Sequence, residues 1–501
     1  MSHAIILPVL LPMFFGALLL VGHGWSREIK RGISLLGCLA LLPVCIHLLL
    51  LAGAGQLQVY ALGNWAAPFG IMLLLDRFNA VMLLLTALLA TFALLYACRG
   101  EDEQGPNFHA LFQFQLLGIN GAFLTADLFN LFVFFEILLI SSYALLLHGN
   151  RASQVKAGVH YVVLNLLGSS FFLIGVSLLY GLTGTLNMPD LAARVASADV
   201  ADAPLLKAAA YLLLIVFGLK GAVLPLYFWL PRAYAAAPAS VAALFAIMTK
   251  VGFYAIVRVF TLIFGEQAGP LANLGHELLW WLALPTIALG VIGALGARQL
   301  QVLLAYLVVV SVGMLMAGFA IGTAAALSAA LYYLVHSTLI SAALFLLAGL
   351  VVAQRDSAGG DLQQERVLRQ PLLLGCLFFF GAISVAGLPP FSGFIGKMLL
   401  LRAAEPGWQA LSLWPVVLIG GLLTLIALSR AGTTLFWLGQ QTSPSTAAPA
   451  DRVSLLAALG LLLASPLLLI GAAPILAYLE AAAVQLLDLQ PYLSIIAGGA
   501  A

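Results

Sequence analysis

The sequence predicts an all-α polytopic membrane protein of about fourteen transmembrane helices, with two inverted five-helix repeats and discontinuous helices 7 and 12. Three observations carry this. First, 63% of the 501 residues are hydrophobic and only 8% are charged, whereas a soluble domain carries about 25% charged residues. Second, apolar runs such as Ala4–Gly22 and Ile33–Gly53 recur along the chain, and many windows reach the roughly 20 residues that a helix needs to cross a bilayer. Third, proline and glycine interrupt two of these runs beside an intramembrane lysine.

The first run, 4–22, is preceded only by Ser2 and His3. It lacks the basic leader of a cleavable signal and reads as a retained span. Runs at 31–53 and 71–97 complete an N-terminal segment, 1–107. Spans at 108–125, 128–148, 158–181, 205–228 and 238–263 form the first repeat, 108–263. Spans at 276–297, 300–320, 325–352, 372–400 and 412–438 form the second, 276–438. A linker (Gln440-Gln441-Thr442-Ser443-Pro444-Ser445-Thr446), a span at 453–477 and a tail fill 439–501. The runs are long and unbroken rather than alternating, so strands are not expected. The loops near 353–371 and 439–452 are too short to fold as soluble domains.

Loop charges orient the bundle. With the N-terminus outside, the inner loops hold Arg27, Lys30, Arg31, Arg99, Arg151, Lys156, Arg232, Arg298, Arg355, Arg366, Arg369, Arg430 and Arg452. The outer side holds only Arg77, Arg194, Lys207, Arg258 and Arg402. The positive-inside rule then places both termini outside a bacterial inner membrane. Cys38, Cys45, Cys98 and Cys376 show no C-x-x-C spacing, so neither disulfide nor metal use is expected. No phosphate-binding G-x-x-x-x-G-K-[ST] loop and no nucleic-acid motif occurs.

The informative residues are ionisable groups in mid-span, each costing at least about 2.5–3.5 kcal/mol to place there. They are Glu136 in the fifth span, Lys220 in the seventh, Lys250 in the eighth, His336 in the eleventh and Lys397 in the twelfth. A structural Glu136–Lys220 salt bridge is the plain reading. It leaves the remaining cations without a mid-membrane carboxylate. Burial favours the neutral form of a lysine, and lysine and histidine near their titration points carry protons. The set therefore reads as a proton relay. Asp127 reads as a helix cap, Asp76 as an interfacial partner of Arg77, and His160 remains unassigned.

The seventh span contains Gly218-Leu219-Lys220-Gly221-Ala222-Val223-Leu224-Pro225, and the twelfth Gly387-Leu388-Pro389-Pro390-Phe391-Ser392-Gly393-Phe394-Ile395-Gly396-Lys397. Pro225, Pro389 and Pro390 each remove a backbone donor. In lipid such breaks persist only where protein covers them or a wet cavity adjoins. Both broken spans are fourth in a five-span unit, and an odd number of spans inverts one unit against the other.

At these residues the chain resembles the D subunit of Mrp-type multisubunit sodium/proton antiporters. The resemblance rests on Phe123–Glu136, on Leu219–Pro231, on Ala237–Val241 with Thr249–Gly252, and on Gly387–Phe394 with Lys397. It covers roughly residues 60–400 and extends to the proton-pumping subunits of complex I. It implies a central hydrophilic axis through Glu136, Lys220, Lys250, His336 and Lys397. It also implies other Mrp subunits as partners in the lipid bilayer, protons and Na+ as transported ions, and no cofactor. The alternative is a proton-pumping subunit of a redox complex such as complex I or a membrane-bound hydrogenase. Two positions depart from the family pattern. Ser337 and Ser341 stand where a second histidine and a lysine are usual, and Arg232-Ala233-Tyr234 follows Pro231 where an acid is common.

Overall fold

The computed structural model describes residues 3–65, 69–355, 358–363, 368–438 and 448–498. The 440–446 linker and Arg366 lie outside them. The chain is a helical bundle. Its elements in order are α1 (Leu7–Val21), α2 (Arg27–Gly53), strands β1 (Gln58–Ala61) and β2 (Met72–Leu75), α3 (Arg77–Ala97), α4 (Phe108–Leu124), α5 (Leu128–Leu146) and α6 (Ala152–Thr183). Then come α7 (Met188–Ala196), α8 (Ala203–Gly221), α9 (Trp229–Ala236), α10 (Ala239–Phe245), α11 (Met248–Leu262), α12 (His276–Gly296), α13 (Leu300–Ala320) and α14 (Ala324–Ala353). The chain ends with α15 (Pro371–Ala386), α16 (Ser392–Ala403), α17 (Trp408–Phe436), α18 (Arg452–Leu462), α19 (Ala464–Ile470), α20 (Ala472–Leu487) and α21 (Gln490–Gly498).

Among the described residues, 12 helices are long and apolar enough to cross a membrane. The α4 helix, at 17 residues, and the two pieces α15 and α16 fall short of that length. The outermost helices show leucine, phenylalanine and isoleucine to the surroundings, with Phe14 60%, Val159 61%, Ile292 59% and Leu422 58% exposed. In water that surface would drive aggregation; in hydrocarbon it costs nothing. The innermost spans are α10–α11, whose most apolar window is 100% buried, and α13 and α14, at 83% and 78%. The spans bearing Lys250 and His336 are thus surrounded by protein rather than lipid.

Strands are present after all. β1 and β2 pair antiparallel, with Gln58 opposite Leu75 and Ala61 opposite Met72, so the third span begins at Arg77 and not near 71. Hydropathy could not separate the buried Met72–Leu75 run from the helix behind it. Asp76 separates them: its carboxylate accepts the Asn79 N–H at 2.9 Å and its own N–H donates to the Asn79 side chain at 2.9 Å, a reciprocal cap that starts α3.

The expected breaks in the seventh and twelfth spans are both present. α8 stops at Gly221, where Ala222 turns left-handed (φ 60°), and the helix resumes as α9. α15 stops at Gly387 (φ 83°) and resumes as α16. The eighth span is also interrupted, at Ala246–Ile247, without any proline. There the Ala246, Ile247 and Lys250 N–H groups bond three residues back, to Ala243, Leu244 and Ile247. This is a tightened turn directly before Lys250.

Candidate functional site

Each of the five predicted ionisable residues belongs to a different helix. Glu136 comes from α5, Lys220 from α8, Lys250 from α11, His336 from α14 and Lys397 from α16. Lys220, Lys250 and His336 are buried, at 6%, 0% and 2% exposed.

Glu136 accepts a hydrogen bond from the Ser169 hydroxyl of α6. Lys220 Nζ has no hydrogen-bond partner among the described residues and stands 5.5 Å from the centre of the Phe135 ring. The purely structural Glu136–Lys220 salt bridge, the alternative to the relay, is therefore not formed. Lys250 Nζ donates to the Ser311 hydroxyl of α13 at 3.2 Å, and that hydroxyl donates to the Val308 carbonyl at 2.7 Å. Lys220 and Lys250 are carried on backbones in direct contact, because Gly252 lies against Gly221.

His336 Nδ1 meets the Ser392 hydroxyl at 2.8 Å. From Ser392 a chain of hydroxyls continues to Ser465 (2.8 Å) and Ser384 (2.6 Å). Sequence reasoning missed this chain, because Ser465 arrives from α19 and nothing local links it to His336. It supplies polar groups beside His336, where Ser337 instead bonds back to the Leu334 carbonyl at 3.3 Å. Lys397 Nζ donates to the carbonyls of Val385 (3.0 Å) and Ala386 (2.8 Å) at the end of α15.

The two helix breaks serve their lysines in different ways. Lys397 follows its break and reaches back to the free carbonyls it exposes. Lys220 precedes its break and lies in the last turn of α8. Both are at the C-terminal end of a helix, which carries about half a negative charge. The carbonyl ends thus share with Glu136 the compensation of these cations. Counting side-chain carboxylates alone could not reveal this.

Three other expectations meet the structure. Asp127 does cap α5, accepting the Asn130 N–H at 2.8 Å. Asp76 does not pair with Arg77. Its partner is Arg258, with Nη1 2.6 Å from Oδ2 and side chains 3% and 1% exposed, while Arg77 donates to the Gly53 carbonyl at 3.0 Å. Arg258, counted among the outer-side charges, is buried inside α11. Finally, Cys98, Asp102 and His109 present ligand atoms within 4.8 Å of one another. Arg31 holds both oxygens of Asp102, at 2.7 and 2.8 Å, which makes this an ion-pair cluster.

A many-span bundle whose interior holds titratable side chains at broken helices defines an ion-translocating membrane protein. The chain belongs to the NADH:quinone oxidoreductase/Mrp antiporter transmembrane family, whose model matches residues 125–427. It is 40% identical to the D subunit of a probable K(+)/H(+) antiporter of Rhizobium meliloti (strain 1021), over 97% of this chain and 96% of that one. It is 37% identical to the D subunit of the Na(+)/H(+) antiporter of Bacillus subtilis (strain 168), over 99% of each. Among solved structures it is similar to a chain of the Mrp complex from Dietzia sp. DQ12-45-1b, with a TM-score of 0.88 and 28% identity, covering 99% of this chain and 100% of the other.

Proposed function

We propose that this chain is the D-type subunit of a multisubunit cation/proton antiporter. In this reading it carries protons along Glu136, Lys220, Lys250, His336 and Lys397 while Na+ leaves the cell, driven by the proton gradient. One observation carries the reading: three mid-membrane lysines are arranged in the bundle without a direct carboxylate partner among the described residues. Lys220 Nζ is unpartnered, Lys250 meets a hydroxyl, and Lys397 meets two carbonyls. A lysine held by neutral acceptors can give up a proton without leaving a buried anion unpaired, whereas breaking a buried ion pair is strongly unfavourable.

Glu136 is the carboxylate end of the axis and His336 with its hydroxyls connects toward Lys397. The remaining subunits of the complex complete the cation route. The fourteen-span arrangement in two inverted repeats and the outward placement of both termini belong to the same proposal. The relatives' names differ in their cation, so Na+ is chosen on the resemblance of the motifs. The test is to purify the intact complex, reconstitute it in vesicles and follow proton flux on adding Na+ or K+. Proton movement that ignores both cations would overturn the reading in favour of a redox-driven pump.

A further inference from the structure

The site on α11 does not end at Lys250. Tyr254 and Arg258 follow at intervals of four, so the three polar side chains share one face of the helix. Tyr254 donates its hydroxyl proton to the Phe123 carbonyl at 2.5 Å and accepts from Arg258 Nε and Nη2 at 3.2 and 3.1 Å. Arg258 Nη1 is 2.6 Å from Asp76 Oδ2. The same oxygen accepts the Tyr492 hydroxyl at 2.9 Å. The stripe thus runs from the proton axis to the membrane face that bears the β1–β2 hairpin, and Tyr492 of α21 closes it.

The C-terminal helices α20 and α21 also border an open cavity. It measures about 480 Å³ and is lined by Arg77, Glu480, Gln485, Asp488 and Pro491 among others. Its lining residues Arg77 and Pro491 are the chain neighbours of Asp76 and Tyr492. Glu480 and Asp488 give this mouth two carboxylates, which concentrate cations locally. Such a mouth above a polar stripe leading to Lys250 would short-circuit any gradient unless something blocked it.

We propose that Arg258, held by Asp76 and Tyr492, is a fixed cationic barrier that seals the hairpin-face end of the α11 stripe against hydronium and metal cations. Arginine suits this role because it stays protonated where lysine does not, so it repels cations and cannot relay a proton. Asp76 keeps the guanidinium in place and Tyr492 locks Asp76 from the C-terminal helix. Arg258 is a positioning and sealing residue, outside the conducting set. The inference rests on the reading that Lys250 exchanges protons.

The experiment uses the whole complex in vesicles loaded with a pH-sensitive dye, with the membrane potential clamped and no Na+ present. Passive proton leak down an imposed pH gradient is the readout. The double variant Asp76→Asn/Arg258→Gln removes the charges together and leaves no orphan ion. Its leak is expected to rise about tenfold. Tyr492→Phe keeps the ring but frees Asp76, and its leak is expected to rise by about two- to threefold. Arg258→Lys should raise the leak, because a buried lysine can release its proton where arginine cannot. A merely structural pair would alter assembly and heat stability without opening a leak. Leak at the unmutated level in assembled Tyr492→Phe complexes overturns the proposal, whether or not the double variant assembles; a tight, assembled double variant also overturns it. Cation-driven exchange by the unmutated complex is measured in the same vesicles. Its absence would sink the functional reading without deciding the barrier.

Discussion

Gly252 of α11 lies so close to Gly221 of α8 that a β-carbon on Gly252 would stand 2.7 Å from the Gly221 Cα and closer still to its nitrogen. The atoms in the way are backbone and cannot rotate aside. This contact sets the spacing of Lys220 and Lys250. Gly252→Ala is therefore expected to destabilise the subunit by about 1–3 kcal/mol, the usual penalty of overpacking, and to lower antiport. A thermal melt of the purified complex, with transport measured in parallel, checks it. An unchanged melting temperature would show that the two helices can separate freely.

Glu136→Gln keeps the shape of the side chain and a partner for Ser169, but removes the charge. Antiport should be lost while the complex still assembles, which vesicle transport and subunit stoichiometry read separately. Antiport near the unmutated level would remove Glu136 from the axis.

Lys220→Ala and Lys397→Ala should each abolish or strongly reduce exchange. Arginine should not rescue either position, because it holds its proton. At position 397 an arginine could still donate to the Val385 and Ala386 carbonyls, so the substitution separates proton release from helix-end neutralisation. Full transport by Lys397→Arg would mean that fixed positive charge is sufficient.

Ser392 is the only described hydrogen-bond partner of the His336 ring, and it links that ring to Ser465. Ser392→Ala should slow exchange several-fold, with a stability cost of about 1–3 kcal/mol for the polar atoms left unsatisfied. Comparing initial rates of cation-driven proton flux with the amount of assembled complex measures the two effects. Ser392→Thr, which restores a hydroxyl, should recover most of the rate.

The isolated chain should not exchange Na+ for protons. A hard cation needs several oxygen ligands, whereas the axis offers one carboxylate among lysines that repel it. Reconstituting the chain alone beside the intact complex tests this. Sodium-dependent proton movement by the isolated chain would place the cation route inside it, for instance at the backbone carbonyls freed around Pro225 and Pro389-Pro390.

The apolar surroundings, the helical membrane-spanning architecture and the family were legible in the amino-acid order. An apolar run beyond twenty residues has few alternatives to a spanning helix, and a charge inside one is conspicuous by its cost. Pro225 and Pro389-Pro390 marked the two breaks for the same local reason, the missing backbone donor. What the charges contact depended on distant helices. Asp76 lies next to Arg77 in the chain, yet bonds Arg258, because a helix cap and a helix face from far apart in sequence converge. Lys220 Nζ finds no hydrogen-bond partner among the described residues, while Lys397 takes the carbonyl end of α15. Ser465 reaches the His336 chain from α19, and Tyr492 reaches Asp76 from the C-terminal helix. The interruption before Lys250 had no proline to announce it. Hydrophobic periodicity specifies that a helix is buried, but a hydrogen bond needs a partner within about 3 Å, and it takes the packing of distant helices to bring one there.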